Sequence, residues 1–273
     1  MPTLYEALAT RVDDWRKEHY PHDTFPAIGE ILEWAANPEV SSFRLRSPQF
    51  RALETYWYLR LIENTPHIFD LYRKFFTKRA DLLHALGIPQ TAFERADYDL
   101  DALFASIRDD DAFVREFDLE ALRETLTLDY PSYILALAMG AGKTVLIGSI
   151  FASEFGMSLE YPDGPFVQNA LVFAPGKTII ESLRQLAEVR YDALLPPRLF
   201  KSFAASIKLL FTRDGETDIP VIRGSTFNVV VTNTEKIRIQ KPTVRARNLS
   251  QLELMAREEQ ENGNGAKLTL GRC

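Results

Sequence analysis

The stretch at residues 139–144, Met-Gly-Ala-Gly-Lys-Thr, constrains the fold more than any other part of the chain. It lies between an apolar run at residues 133–138 and a second one at residues 145–155. This pattern predicts a buried strand, a glycine-rich turn and a helix. Glycine allows backbone conformations that a β-carbon disfavours, so successive N–H groups can point at the oxygens of one bound anion.

The residues at the end of this turn indicate which anion it binds. The helix that begins near Lys143 adds its positive end, Lys143 can neutralise β- and γ-phosphates, and the Thr144 hydroxyl can ligate Mg²⁺. We therefore predict a site for ATP and Mg²⁺, with Lys143 and Thr144 as catalytic residues and Thr144 as the metal ligand. Its members are Met139, Gly140, Ala141, Gly142, Lys143 and Thr144. The alternative is a strand-to-helix turn without a ligand.

The turn resembles one variant of the P-loop. The general pattern has Gly five residues before Gly142, where this chain has Leu137. In superfamily two helicases and type III restriction motor subunits, a small residue instead stands two positions before Gly-x-Gly-Lys-Thr, as Ala138 does here. Met139 departs from the Thr that is usual in this family. The resemblance implies a RecA-like ATP-binding domain with a parallel sheet.

Two further segments resemble motifs Ia and Ib of these helicases. Residues 169–175 predict a buried strand, followed by a helix over residues 178–191, and residues 227–234 predict a β-branched strand that ends in polar side chains. A third strand is predicted between them, over residues 207–212. The resemblance implies DNA contacts from the turn Pro175, Gly176 and Lys177, and from Thr232 and Asn233. An ordinary strand-to-helix turn and helix capping are the alternatives.

A segment far upstream resembles the adenine-reading motif of the same superfamily. Residues 45–49, Leu-Arg-Ser-Pro-Gln, match Leu-Arg-x-x-Gln, and Ser47 with Pro48 predicts a helix start. The resemblance implies that Gln49 contacts adenine, although a Gln in the first turn of a helix is also common. Gln49 precedes Gly140 by 91 residues, which is a wide gap for this family. An inserted helical region over residues 64–128 would account for it.

Periodicity divides the chain into a mainly helical region, residues 1–130, and an α/β region, residues 131–240. A basic and then polar tail, residues 241–273, is expected to be poorly ordered. The predicted helices of the first region cover residues 4–20, 27–36, 48–64 and 68–86, with one or two more between 91 and 126. We expect the fold class α/β, with an incomplete RecA-like domain after the helical region.

Composition excludes several classes of protein. The chain has 273 residues, 46% of them hydrophobic, which is ample for a core, and it lacks any long uncharged apolar stretch or signal region. Its one cysteine, Cys273, leaves no internal disulfide, so a cytoplasmic location without membrane contact is expected. Paired His19 and His22 lack further metal ligands, and nuclease and hydrolase signatures are absent.

Charge is distributed unevenly along the chain. Residues 1–130 carry 15 Lys or Arg and 24 Asp or Glu, a net charge of −9, whereas residues 131–273 carry 17 and 14, a net charge of +3. Residues 236–247 contain five basic residues and no acidic one, which suits phosphate contacts but also a solvated loop. The acidic balance of the helical region argues against direct DNA contact there.

The sequence lacks one element that ATP hydrolysis needs. Phosphoryl transfer requires an acidic pair at the end of an apolar strand to hold Mg²⁺ and orient water, and no such strand follows Thr234. The acidic runs at residues 13–14, 109–111 and 258–259 are interpreted as solvated helix faces. We therefore interpret the chain as the N-terminal part of a larger motor, weakly active or inactive alone.

Two functions from different classes follow. The first is the ATP-binding part of a DNA-dependent ATPase, a helicase or restriction translocase, with DNA and possible restriction or modification subunits as partners. The second is a non-catalytic module that binds nucleotide or DNA and acts through a partner. An unrelated P-loop regulator is a third, more distant alternative.

Overall fold

The computed structural model describes residues 3–37, 39, 45–128, 130–174, 177–212 and 224–233. Ten helices precede the first strand, and a π-helical turn, Tyr58–Ile62, extends the third of them. These helices are α1 Leu4–Lys17, α2 Ala27–Ala36, α3 Ser47–Trp57, α4 Ile68–Phe75, α5 Arg79–Ala85, α6 Gln90–Arg95, α7 Leu100–Asp109, α8 Asp111–Glu116, α9 Glu120–Leu126 and α10 Lys143–Glu160. The remaining elements are β1 Asn169–Ala174, α11 Lys177–Leu183, a 3₁₀ turn Arg184–Glu188, α12 Tyr191–Leu194, α13 Pro197–Ser206, β2 Lys208–Phe211 and β3 Asn228–Asn233.

The fold class is α/β, mostly helical with a small parallel sheet. The three strands lie in the order β1-β3-β2, and both pairings are parallel. Asn169 is opposite Asn228 in one pair, and Lys208 is opposite the same Asn228 in the other. The strands predicted over residues 169–175, 207–212 and 227–234 are therefore confirmed, with ends shifted by one or two residues.

The strand predicted over residues 133–138 is not formed. This segment is extended, with Tyr133, Leu135 and Leu137 packed against the core, while the alternate residue Ile134 is 91% exposed. Alternation of this kind is typical of a strand with one buried face. A strand also needs a neighbour to accept and donate its ladder hydrogen bonds, and the described strands pair only with one another.

The helical region contains more and shorter helices than its periodicity predicts. Residues 68–86 form α4 and α5 rather than one helix, and residues 91–126 contain four. Acidic side chains start two of these: Asp99 accepts from the Ala102 amide, and Asp110 accepts from the amides of Ala112 and Phe113. The acidic run at residues 109–111 is therefore not simply a solvated face, because Asp110 caps α8.

Two hydrophobic clusters hold the described residues together. The larger one joins residues of the N-terminal helices, such as Trp57, to Phe155 of α10 and Val231 of β3, so it crosses the predicted boundary near residue 130. The smaller one, around Phe93, Leu103 and Ile107, lies within the short helices α5 to α9 and their connections. The predicted insertion thus has a small core of its own. No helix within the described ranges has the length and apolar character to span a membrane.

Candidate functional site

The glycine-rich turn has the backbone conformation that the sequence predicts. Gly140 and Gly142 have φ values of 75° and 79°, in the left-handed region that glycine tolerates best. The Ala141 amide donates to the Ala138 carbonyl at 3.2 Å, which closes the turn. Gly142 is then the N-cap of α10, and Lys143 is its first residue.

No side chain among the described residues caps the N-terminus of α10. Gly142 offers no side chain to cap the helix, and the first turn contains no acidic residue. Among the described residues, no acceptor receives the amides of Gly142, Lys143 or Thr144. Side chains cap α1, α4, α7 and α8, whereas α2, α5, α6, α9, α12 and α13 also begin without one. What distinguishes α10 is the left-handed glycine at its N-cap. The start of α10 is therefore free to bind an anion.

Two cations lie at this uncapped turn. Lys143 is exposed and forms no ion pair with any described residue. Arg46 is also exposed, and its guanidinium donates to the Gly140 carbonyl at 2.8 Å. A cation in the first turn of a helix opposes the helix dipole by about 0.3–1 kcal/mol. The interaction between these cations and the positive end of α10 is thus unfavourable by itself. A bound phosphate would make the local electrostatic energy favourable, because it attracts both the cations and the helix end.

Gln49 lies directly against the glycine-rich turn, across 93 residues of sequence. Its Nε2 donates to the Gly142 carbonyl at 2.9 Å, and its Oε1 accepts from the Arg46 amide at 2.7 Å. The second contact belongs to a capping box at the start of α3. Helix capping explains the contact with Arg46, but not the reach to Gly142. The structure therefore brings the upstream motif to the predicted site, with Gln49 only 3% exposed.

Thr144 is half-buried beside the turn, and Met139 is 98% exposed at its tip. Mg²⁺ bound with a nucleotide usually takes only one or two protein ligands, with phosphate oxygens and water completing its shell. The Thr144 hydroxyl fits that role. Within the described ranges, no group of three or more His, Cys, Asp or Glu residues could hold a metal by itself.

Of the five residues predicted to contact DNA, two lie outside the described residues. Pro175 and Gly176 lie outside the described residues, as does the basic stretch at 236–247 and the predicted tail. Lys177 begins α11 and Asn233 ends β3, at the carboxyl ends of β1 and β3 respectively. The carboxyl edge of a parallel sheet is where such folds bind ligands, so the prediction stands for these positions.

Thr232 occupies a different environment from the one its predicted role requires. It is 0% exposed, and its hydroxyl accepts from the Thr212 hydroxyl at 3.1 Å. The pair fastens the ends of β2 and β3 together in the sheet interior. A nucleic-acid strand would reach Thr232 only after this packing opened, so the side chain serves the sheet in the described conformation.

Arg46 is the site residue that sequence reasoning missed. Its neighbour Gln49 was selected because it matches the position of an adenine contact, whereas an arginine before a helix carries no signal of its own. The pattern Leu-Arg-x-x-Gln did contain it. Its contact with the Gly140 carbonyl places it at the rim of the turn.

The close packing of Gln49 on Gly142 leads to a stability prediction. A β-carbon at Gly142 would lie 2.2 Å from Gln49 Nε2, whereas one at Gly140 would meet nothing within 4 Å. Both alanine variants incur about 1–2 kcal/mol of left-handed backbone strain. Gly142→Ala should lose about 0.5–1.5 kcal/mol more, because it also displaces the Gln49 hydrogen bond.

Urea denaturation of both variants measures the difference, with Gly140→Ala as the matched control for backbone strain. Equal losses of unfolding free energy would show that Gln49 does not pack on Gly142.

Comparison of the chain with models of protein families, with curated proteins and with solved structures gave no match. Assignment to a family therefore has no support from similarity beyond the motifs themselves. The features that bear on function are the start of α10, the cations Lys143 and Arg46 beside it, and the contact of Gln49 with the glycine-rich turn.

Proposed function

We propose that the chain binds ATP with Mg²⁺ at the start of α10 and that it is the ATP-binding part of a DNA-dependent ATPase of the superfamily two type, with a RecA-like core. One observation carries the proposal. A long, otherwise buried helix begins directly after the left-handed glycines Gly140 and Gly142, without a side-chain cap and with a lysine that forms no ion pair within the described ranges. An anion at this position would satisfy free amides and reverse an unfavourable charge.

Gln49 supports a nucleotide rather than a simple anion. A side-chain amide can make one more donor and one more acceptor contact than those with Gly142 and Arg46, and because Gln49 is 3% exposed a base would reach it only after this packing opened. The exocyclic amine and ring nitrogen of adenine require that pair of functions. In this proposal Gln49 reads the base, Lys143 contacts the β- and γ-phosphates, and Thr144 ligates Mg²⁺.

Binding and hydrolysis are separate parts of the proposal. Hydrolysis needs an acidic pair that orients water, and the sequence offers no acidic pair at the end of an apolar strand. We therefore expect this chain to bind ATP and to hydrolyse it slowly. We propose DNA and any restriction or modification subunit as partners. The segments at the carboxyl ends of β1 and β3, which resemble helicase motifs Ia and Ib, support the proposal of DNA binding.

The alternative is a nucleotide-binding module without catalysis that acts through a partner. The sequence offers no acidic pair at the end of an apolar strand, and this favours the module, because hydrolysis needs such a pair whereas nucleotide binding at the start of α10 does not. Stimulation of hydrolysis by DNA distinguishes the ATPase from the module.

Lys143→Ala tests the phosphate contact. A hydrogen bond to a charged group contributes about 1.5–3 kcal/mol, so its loss should weaken Mg-ATP binding about 10- to 100-fold, measured by calorimetry. The same change should leave the unliganded chain as stable as before or slightly more stable, because it removes a cation from the positive end of α10. Far-ultraviolet circular dichroism should be unchanged.

Lys201→Ala is the matched control, because Lys201 is an exposed lysine on another helix, α13. Equal Mg-ATP affinity in Lys143→Ala and Lys201→Ala would sink the assignment of the phosphate site.

Gln49→Ala tests the base contact. It should reduce the preference for ATP over GTP, because a buried amide that reads adenine rejects the donor and acceptor pattern of guanine. Gln49→Glu separates the two roles of this side chain: it keeps an acceptor for the Arg46 amide but replaces the donor that faces Gly142. Competition binding with ATP and GTP should show reduced preference in both variants. An unaltered preference in Gln49→Glu would leave Gln49 as a helix-capping residue only.

A further inference from the structure

A buried carboxylate lies on α10, well away from its N-terminus. The Glu154 side chain is 2% exposed. Its Oε1 accepts from the Tyr56 hydroxyl at 2.5 Å and from Arg60 Nε at 3.0 Å, and its Oε2 accepts from the Val167 amide at 2.9 Å. Burial and the neighbouring carboxylate raise the pKa of Tyr56 well above its usual value, so its hydroxyl stays a donor at neutral pH. The nucleotide site uses none of these groups.

Two of the three partners of Glu154, Tyr56 and Arg60, belong to the same helical stretch that carries Gln49. Tyr56 lies in α3, Arg60 in the π-helical turn that follows it, and Trp57 Nε1 between them donates to the Ser153 hydroxyl at 2.9 Å. The Arg60 guanidinium also donates to the Pro165 carbonyl. The far end of α3 is thus fastened to the second half of α10 by three side chains, while its first turn contacts the glycine-rich turn.

The spacing of these contacts shows how the two helices are aligned. The partners are 93 residues apart for Gln49 with Gly142, 96 for Trp57 with Ser153, and 98 and 94 for Tyr56 and Arg60 with Glu154. A nearly constant separation means that α3 and α10 run side by side in the same direction. Any slide of one helix along the other would break the contacts at both ends together.

The two ends of this register differ in strength. At one end Gln49 makes a neutral hydrogen bond to Gly142, and Arg46 adds an exposed hydrogen bond to the Gly140 carbonyl. Glu154 is a buried charge, and its separation from Arg60 would leave an uncompensated carboxylate in the interior. The Glu154 cluster is therefore the strong end, and it determines where the weak end lies.

We propose that Glu154 is a positioning residue for nucleotide recognition: with Tyr56 and Arg60 it holds α3 in register on α10 and so places Gln49 against the glycine-rich turn. The proposal rests on the proposed nucleotide-binding function and adds to it a residue that never touches the nucleotide. Loss of the cluster displaces Gln49 and weakens binding through that displacement alone.

A double-mutant cycle tests this coupling. The variants are Glu154→Gln, Gln49→Ala and the two combined, and the measurement is the Kd for Mg-ATP at a temperature where all are folded. Loss of one hydrogen bond corresponds to about a threefold to tenfold weaker Kd, expected for each single variant. The double variant should bind no more weakly than Gln49→Ala, because Glu154 acts through Gln49.

Glu54→Gln is the matched control. Glu54 lies on α3 and is 0% exposed, but its partners are Arg16 and Tyr20, in and just after α1. This substitution removes an equally buried carboxylate from the same helix without touching α10. It should lower the melting temperature, and its effect on the Kd, if any, should add to that of Gln49→Ala.

The outcomes are distinct. Additive effects of Glu154→Gln and Gln49→Ala, like those of the control, would overturn the positioning role and leave Glu154 a purely structural residue. If Glu154→Gln does not fold, Tyr56→Phe removes one contact while keeping the ion pair with Arg60, and the same cycle is run with it. Absence of Mg-ATP binding by the parent chain overturns the proposed function itself.

Discussion

The burial of α10 is the constraint on which the rest of the structure depends. Its residues from Gly148 to Ser158 are almost all buried among the helices α2, α3, α12 and α13, each of which contacts α10. Small residues make this possible: a β-carbon at Gly148 or Gly156 would come within 3.3 Å or 3.2 Å of neighbouring side chains. The first turn of α10 reaches solvent at Lys143, and its last residue, Glu160, is exposed at the other end, so the positive end of the helix opens on the surface at the glycine-rich turn.

The same helix connects the sheet to the helical region. Val229 and Val231 of the central strand β3 are 0% exposed and belong to the same cluster as Phe155 of α10 and Trp57 of α3. The central strand is covered, but Leu171 and Phe173 of β1 are 48% and 47% exposed. The sheet therefore presents an apolar surface along β1 within the described part of the fold.

Local patterns predicted much of this architecture. Helix α2 begins and ends where the periodicity of its apolar residues indicates, and the three parallel strands lie where short apolar runs occur, of which only that of β3 is rich in β-branched residues. The glycine conformations at Gly140 and Gly142 follow from the requirement for a turn before a helix. These features depend on residues that are close in sequence.

Features that depend on distant partners were not predictable in the same way. Residues 133–138 have the pattern of a strand, but pairing requires a neighbour that no local signal supplies. Thr232 lies near the carboxyl end of a strand, where ligand-binding residues are common, yet its hydroxyl pairs with Thr212 in the interior. The resemblance selected Gln49 for a base, whereas its contact with Gly142 arises from the alignment of α3 on α10. Glu154 carried no signal, because its partners lie almost a hundred residues away.

Amide hydrogen exchange with and without Mg-ATP tests the central claim most directly. If Mg-ATP binds at the start of α10, amide exchange should slow at Gly142, Lys143 and Thr144 and in the first turn of α3, with no change in the separate core of α5 to α9. Unchanged exchange at the start of α10 under saturating Mg-ATP, or protection confined to α5 to α9, would contradict it.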